Sequence, residues 1–486
     1  MEQRNDTTSE TRSIPVDETT DVGGIPPYMY IVPLFLTVAF AFTVGYLVSF
    51  LFKPKEQKNE KEDVAKPVPA SKDVTSVKTN DSTLKNGAKA SKKSAAATSG
   101  QNKAKDTYAH PLLVTSLKGH TGEVFDGDFS PNGKYFATCS EDRSVSMWPT
   151  SEFLTDSPAK EIKHHRLNID FDHATSIQFS PGSKAMLGLM DNARVLRVFK
   201  LIKKTDGYFG SMQPAMDIPQ TSHGDLLFMN IDCNGKYIMT AYQNSNICIW
   251  SLKGQLLQTL AANMGVFSDC KVSPCGRSVA ASGSAASVTV WGVNFDDDTN
   301  EFRSVDRAFE LKGHSVVVPA FAFSADSTHM VSVSRDKSFR LHDINIQYRK
   351  KEEPRLVLSG TWTTETVRPA EKITVALSND AKCIIIGYGN DVLIISGSDG
   401  SLKNSIKPLL NGPVNRVMFD PSSGFVLVLG GKIVRVYRNI PGYEIAIGAL
   451  QKKLKYASQD SVRQRLQQQL DDAQKMLSAS KLQYHV

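Results

Sequence analysis

The sequence of 486 residues has few features of an enzyme or of a disulfide-stabilised protein. Its six cysteines form no C-x-x-C pair, which argues against a zinc-ribbon or dithiol redox motif. Gly387-Tyr388-Gly389 lacks the third glycine of a dinucleotide-binding loop. We therefore predict a protein that is not an enzyme, with no catalytic, cofactor-binding or metal-ligating residues and no small-molecule substrate. The cysteines are expected to be buried, reduced thiols of a cytosolic domain.

Charge is absent from a long run near the N-terminus. No residue between Val22 and Phe52 ionises, and the 25 residues of Tyr28–Phe52 are almost wholly apolar. As a helix they would extend about 37 Å, more than the roughly 30 Å of a bilayer core. A short acidic tail, residues 1–27, precedes the run, and no small-residue cleavage site follows it, unlike in a signal peptide. We predict a transmembrane helix at residues 28–52.

Arginine is missing from the segment that follows this run. Residues 53–105 contain 13 Lys and six Asp or Glu, whereas residues 1–52 carry a net charge of −4. Basic residues beside a membrane segment are preferentially retained in the cytosol, so we predict a single-pass protein with its C-terminal domain in the cytosol. A helix beginning at Leu34, about 28 Å long, favours the thinner membrane of the endoplasmic reticulum (ER). Glycosylation of Asn80 rather than Asn5 would contradict this orientation.

Aromatic residues are absent from residues 53–107, which are rich in Lys, Ser, Ala and Thr. Such a segment cannot bury enough apolar surface to offset the cost of ordering, so we predict a disordered, Lys-rich linker. Its lysines could attract RNA or anionic lipid, and Lys85, Lys89, Lys92 and Lys93 are the candidate contacts. The alternative is a solvated tether, which the lack of aromatic residues for base stacking favours.

A repeat begins near Leu112, where short β-type runs alternate with Gly, Pro, Asn and Asp. Its centre, Ser130-Pro131-Asn132-Gly133, joins two strand-like runs, since Pro fixes φ and Gly accepts a positive φ. Six further centres follow at intervals of 50, 52, 41, 51, 54 and 42 residues. Seven centres predict an all-β fold, a seven-bladed WD-repeat β-propeller over residues 108–443. Strand-like Leu112–Leu117 is predicted to complete the last blade and close the ring.

The first repeat contains polar residues that would meet inside a blade. His120, Ser140, Asp142 and Trp148 stand where such repeats build a buried, hydrogen-bonded tetrad. We predict that these side chains satisfy one another between strands rather than form a His/Asp/Ser catalytic triad.

Two other repeats depart from this pattern. The fifth keeps His314, Ser334 and Asp336 but has His342 where Trp is expected, and the third has Asn244 where Asp is usual. We expect side-chain packing to contribute more to the stability of these two blades than the tetrad does.

Apolar residues recur with helical spacing beyond Tyr443. Leu450, Leu454 and Ala457 mark one face, and a second face consists of Val462, Leu466, Leu470, Ala473 and Leu477. We predict C-terminal helices within residues 444–486. The spacing leaves open whether they pack back on the propeller or bind a partner as a short coiled coil.

Several segments resemble the transducin beta-like protein 2 family of WD-repeat proteins. They are SPNGKYFATCSEDRSVSMW (130–148), KYIMTA (236–241), IWSLKGQ (249–255), VSPCGR (272–277), RAFELKGHS (307–315) and RQRLQQQL (463–470). The last segment lies outside any generic WD repeat, which makes the resemblance specific. It implies a non-enzymatic, ER-anchored scaffold that recruits protein partners in ER-stress signalling and translational control. The implied partners are the stress-activated initiation-factor kinase of the ER membrane and the ribosome or RNA.

Two other functions stay open. One is direct RNA or ribosome binding through the Lys-rich linker. The other is a substrate receptor of a ubiquitin ligase, which commonly carries a Trp-Asp-x-Arg turn. Here Trp148, Trp250 and Trp291 are followed by Pro, Ser and Gly, so the sequence gives the ligase function less support.

Overall fold

The computed structural model describes residues 108–155, 157–158, 161–204, 209–219, 223–296, 298–364 and 372–482. The predicted tail, transmembrane helix and Lys-rich linker, with Lys85, Lys89, Lys92 and Lys93, lie outside these residues. Among the helices within them, none is both long and apolar enough to cross a membrane. Every strand and core cluster of the described residues belongs to the compact unit formed by residues 101–486.

Seven antiparallel sheets of four strands each form the blades of a propeller, as predicted. The inner strand of one sheet packs near the inner strand of the next, and the last returns to the first. Blades one to three consist of β2–β5 (Val124–Phe129, Tyr135–Ser140, Ser144–Pro149, His165–Asn168), β6–β9 (Ala174–Phe179, Ala185–Met190, Leu196–Lys203, Phe209–Asp217) and β10–β13 (Leu226–Ile231, Ile238–Tyr242, Asn246–Trp250, Leu256–Ala261).

The remaining blades follow the same order, except that β1 from the start of the domain supplies the outer strand of blade seven. A one-turn helix, α1 (Thr150–Phe153), follows β4. Blades four to seven consist of β14–β17 (Asp269–Val272, Ser278–Ser282, Val288–Phe295, Phe302–Leu311), β18–β21 (Ala320–Phe323, His329–Val333, Ser338–Asp343, Arg355–Thr361), β22–β25 (Ile373–Leu377, Cys383–Tyr388, Asp391–Ser396, Leu402–Ile406) and β26–β28 (Val414–Phe419, Phe425–Gly430, Ile433–Arg438) with β1 (Leu113–Lys118).

Strand β1 closes the ring, which confirms the predicted role of this segment. It pairs antiparallel with β28, from Lys118 opposite Ile433 to Leu113 opposite Tyr437. The buried Arg435 of β28 donates from Nε to the carbonyl of Pro408 at 2.9 Å and from Nη1 to Oγ of Ser116 at 2.8 Å. The closing strand is therefore held by a backbone ladder and by a buried guanidinium.

One kind of turn joins the first two strands of every blade. The N–H of its fourth residue donates to the carbonyl of its first, and the fourth residue has a φ between 52° and 71°. A Ser or Asp at the first position accepts an N–H of the following strand at 2.7–3.1 Å. These turns are the seven centres of the repeat. Their first residues are Ser130, Ser180, Asp232, Ser273, Ser324, Ser378 and Asp420.

Polar side chains link the inner strands of neighbouring blades. An inner strand exposes one edge to the centre of the ring, so its N–H groups need partners from outside their own sheet. Each linking side chain accepts an N–H of the next inner strand at 2.8–3.1 Å; the pairs are Asp128 with Phe179, Gln178 with Ile231, Asn230 with Val272, and Asp269 with Phe321. Blades one to five are therefore connected by direct hydrogen bonds.

Two C-terminal helices form a hairpin, α2 (Ile440–Tyr456) and α3 (Asp460–Leu482). Helix α2 begins before the predicted boundary at residue 444 because Asn439 caps it, accepting the N–H of Gly442 at 3.0 Å. Ile440 and Ile445 are buried with residues of blades six and seven, and Leu477 packs against the same cluster. The alternative in which the helices pack back on the propeller is the one observed.

Two glycines of the repeated turn provide a matched test of blade packing. Gly133 and Gly276 have φ values of +68° and +71°, but a Cβ on Gly133 would meet no atom within 4 Å, whereas one on Gly276 would clash with the carboxylate of Asp232. Gly133→Ala should lower the free energy of unfolding by about 1 kcal/mol, because alanine is strained at this positive φ. Gly276→Ala should lower it by roughly 1–3 kcal/mol more, because the new methyl group also clashes with the neighbouring blade. Denaturant unfolding of residues 101–486 measures both, and equal losses would contradict this packing.

Candidate functional site on the upper face of the propeller

The two ends of the propeller differ in their connections. We call the end with the seven repeated turns the lower face; residue 108 and the start of α2 also lie there. The upper face carries the loops between second and third strands and the loops that lead from one blade to the next. Because antiparallel strands alternate in direction, all connections of these two kinds share one end.

A buried polar cluster anchors the upper loops of blade one. His120 Nε2 lies 2.8 Å from Thr138 Oγ1, which also accepts the indole N–H of Trp148 at 2.9 Å. His120 Nδ1 lies 3.1 Å from Asp142 Oδ2, and Ser144 donates to Asp142 Oδ1 at 2.5 Å. The structure thus brings together His120, Asp142 and Trp148 of the predicted tetrad. These groups use their hydrogen-bonding capacity on one another.

Ser140 does not occupy the predicted place in this cluster. It lies at the end of β3, where its Oγ accepts the backbone N–H of Asp142 at 3.2 Å. Thr138 takes the central position because the imidazole of His120 extends past Ser140, at the end of β3, to the residue two positions earlier in that strand. Sequence reasoning missed Thr138, although its separation of ten residues from Trp148 is a usable signal. The same separation recurs as Thr240 with Trp250 and as Ser332 with His342.

Blade five has a weaker version of the cluster. His314 Nε2 lies 2.8 Å from Ser332 Oγ rather than contacting the predicted Ser334, and its Nδ1 lies 2.8 Å from Ser338 Oγ. His342 occupies the tryptophan position, and its buried Nδ1 has no hydrogen-bond partner among the described residues. Burial lowers the pKa of both His314 and His342 to about 4. Both histidines are therefore neutral near pH 7.

The loop from blade one to blade two presents an aromatic side chain to solvent. Phe171 is 92% exposed and has a φ of +61°, a conformation that costs a bulky residue about 1–2 kcal/mol. The loop is fixed on both sides of it: Ile169 donates its N–H to the carbonyl of Arg143 at 2.8 Å, and Asp172 accepts the N–H of Asn192 at 3.0 Å. Phe171 is therefore held rigidly while burying almost none of its own surface.

Three other loops between blades expose an apolar residue on the same face. Val266 is 57% exposed, Val316 43% and Leu409 64%, and Leu409 also has a positive φ. Single exposed apolar residues are ordinary on a soluble surface. Four of them in equivalent loops of one face, two with a strained backbone, mark the upper face as the candidate binding surface.

A cavity of about 760 Å³ lies between the inner strands and carries charges of both signs. Arg416 forms an ion pair with Asp126 across the seam between blades seven and one. Lys271 Nζ lies 2.6 Å from Asp269 Oδ2 on blade four. These charges are paired with one another, so they stabilise the ring rather than supply a reactive group.

Among the described residues, no group of three or more His, Cys, Asp or Glu side chains is arranged to hold a metal ion. Burial raises the pKa of Cys139, Cys270 and Cys383, which keeps these thiols protonated. Cys248 is buried as well, whereas Cys233 and Cys275 are exposed, so the expectation of six buried thiols is wrong for these two.

The seven sheets and the His120–Thr138–Trp148 cluster define a WD-repeat β-propeller protein, the class whose members commonly serve as interaction scaffolds. The sequence profile of the WD domain, G-beta repeat, matches residues 112–149 and 306–343. Human transducin beta-like protein 2 is 38% identical over 76% of this chain and 82% of that protein. The mouse protein of the same name is 38% identical over 77% of this chain and 83% of its own length. This chain therefore belongs to the transducin beta-like protein 2 family.

A more distant relative matches a smaller share of both chains. Apoptotic protease-activating factor 1 of Rattus norvegicus is 22% identical over 66% of this chain but only 26% of that protein. The resemblance to the transducin beta-like protein 2 family inferred from the sequence is confirmed.

The two buried histidines of blade five predict an acid-sensitive propeller. Their folded-state pKa of about 4 lies below the ordinary 6.5, so the unfolded chain takes up protons first as the pH falls. The stabilisation present above pH 6.5 is therefore lost progressively down to about pH 4. His342→Phe should reduce the stability lost on acidification by roughly 1–3 kcal/mol, because one of the two histidines no longer titrates. Thermal unfolding of the wild type and the variant between about pH 7 and pH 4.5 measures this difference, and the same pH dependence in both proteins would contradict the prediction.

Proposed function

We propose that this chain is a non-enzymatic scaffold whose upper face recruits protein partners. The observation that carries the proposal is Phe171, an exposed phenylalanine with a positive φ in a loop that is fixed on both sides. Strained conformations persist where the surrounding structure imposes them, and they concentrate at functional sites. A partner that buries this ring gains about 1.5–3 kcal/mol from its apolar surface. Rigid aromatic anchors of this kind dominate the energy of protein interfaces.

The charges around Phe171 are of both signs. Asp170 precedes it, and the two upper loops that bond to its own loop contain Glu141 with Arg143 and Asp191 with Arg194. Asp191 is paired with Arg194 at 3.9 Å. The proposed ligand is therefore a protein segment that buries the Phe171 ring with an apolar side chain.

The proposal places the scaffold at the ER membrane, anchored through residues 28–52 with the propeller in the cytosol. The uncharged run and the lysines after it support this topology. Anchoring would raise the concentration of the scaffold near membrane-bound partners. The family resemblance supports a role in ER-stress signalling and translational control, with the stress-activated initiation-factor kinase of the ER membrane as a partner.

A second candidate is RNA or ribosome binding through Lys85, Lys89, Lys92 and Lys93. The 13 lysines of residues 53–105 favour it, and it would show a steep salt dependence that variants of the propeller do not change.

Replacing Phe171 separates partner binding from stability. Phe171→Ala in the full-length chain should reduce the proximity labelling of specific cytosolic partners by about tenfold, as expected for an interface anchor. Leu252→Ala is the matched control, because Leu252 is 46% exposed and lies on the lower face. Phe171→Gly should lose the same partners yet raise the free energy of unfolding by about 1 kcal/mol, since glycine adopts positive φ without strain.

Two results would contradict the proposal. Identical partner profiles for the wild type, Phe171→Ala and Leu252→Ala would show that Phe171 does not contribute to partner binding. Labelling of luminal rather than cytosolic neighbours would overturn the proposed topology.

A further inference from the structure

The helical hairpin carries positive charge where its two helices meet. Five cations and two apolar side chains surround the connection between α2 and α3, and all seven are exposed. We call this group the hairpin tip: Lys452, Lys453, Lys455, Tyr456, Val462, Arg463 and Arg465.

The charge of the hairpin tip is not neutralised locally. Between Glu444 and Asp471 the sequence has five cations and a single acidic residue, Asp460. None of the five cations forms an ion pair with any residue of the described chain. At about 1.5 Å per residue, all five lie within roughly 8 Å of the turn along the helix axes. Positive charge is thus concentrated at this end of the hairpin.

The stability of the helices explains only part of this patch. Lys453 and Lys455 lie in the last turn of α2, where positive charge interacts favourably with the helix dipole. Arg463 lies in the first turn of α3, where the dipole disfavours positive charge, and Arg465 follows directly. The helix dipole therefore does not account for the two arginines. A binding partner accounts for them better.

Exposed apolar groups accompany the charge. Tyr456 is 82% exposed at the end of α2, and Val462 is 42% exposed in the first turn of α3. Tyrosine is enriched at membrane–water interfaces, where its ring contacts the acyl boundary and its hydroxyl stays hydrated. A cationic patch with protruding apolar side chains is the usual composition of an interfacial membrane contact.

We propose that the hairpin tip binds the surface of an anionic phospholipid bilayer. The cations would lie among the lipid phosphates, and Tyr456 and Val462 would enter the interface. RNA presents the same anionic chemistry, but proteins that bind single strands usually combine a backbone groove with several stacking aromatics, and the tip has one. The lipid surface therefore fits better.

Helix α2 begins on the lower face, opposite Phe171, and its 17 residues separate that face from the tip. The inference rests on the hairpin alone and does not require the proposed N-terminal anchor.

Vesicle co-sedimentation of residues 101–486 tests the proposal, because this part of the chain forms a compact unit of its own. We expect binding to phosphatidylcholine vesicles that contain about one third phosphatidylserine, little binding to pure phosphatidylcholine, and at least a fivefold loss when salt is raised to about 0.3 M. Replacing all five tip cations by Gln should lower the partition coefficient at least tenfold, since each cation near an anionic surface contributes about fivefold. Tyr456→Ser with Val462→Ser should weaken binding but keep its salt dependence.

A matched control removes the same charge elsewhere. The control variant replaces five exposed lysines of the propeller by Gln and should bind like the wild type; they are Lys134, Lys184, Lys200, Lys253 and Lys350. Gln retains helix propensity, and separate variants of the three lysines and the two arginines guard against unfolding, which circular dichroism would detect. Equal losses in the tip and control variants would overturn the proposal, as would equal binding to both kinds of vesicle. Tip-dependent binding to single-stranded RNA without vesicle binding would overturn it in favour of a nucleic-acid site.

Discussion

The pairing of β1 with β28 is the interaction on which the rest of the structure depends. It joins segments more than 300 residues apart, as the hydrogen bond between Ser116 and Arg435 illustrates with a separation of 319 residues. Without it, blade seven would have only three strands, and β28 would be left as an unpaired outer edge. The ion pair between Asp126 and Arg416 crosses the same seam. Closure therefore combines a backbone ladder, a buried guanidinium and a paired charge.

A closed ring explains how the upper face can hold unfavourable conformations. The loop of Phe171 is hydrogen-bonded to the upper loops of blades one and two, and neither can move unless its sheet moves. The strain at Phe171 is thus supported by the packing of two blades. The same rigidity gives a binding partner a preformed surface and lowers the entropic cost of association.

The local chemistry of the turns made much of the fold predictable from the sequence. Each repeat centre places Ser or Asp before a residue with positive φ, so seven turns, seven blades and a closing strand could be inferred. The tetrad was harder, because Thr138 and Ser140 point to the same face of β3 and only the reach of His120 distinguishes them. The exposure of Phe171 and the burial of Arg435 depend on contacts between distant segments, which no local pattern encodes. The predictions for residues 1–107 stay predictions.

Hydrogen–deuterium exchange of the full-length chain tests ring closure most directly. The amides of β28, and those of β1 that bond to β28, should exchange as slowly as the amides of β23 and β24, which lie in the middle of blade six. This result would mean that the closing strand is as stable as the interior of a blade. Exchange of β1 as fast as that of the exposed outer strand β13 would contradict it. The upper face could then not be the rigid surface that this account requires.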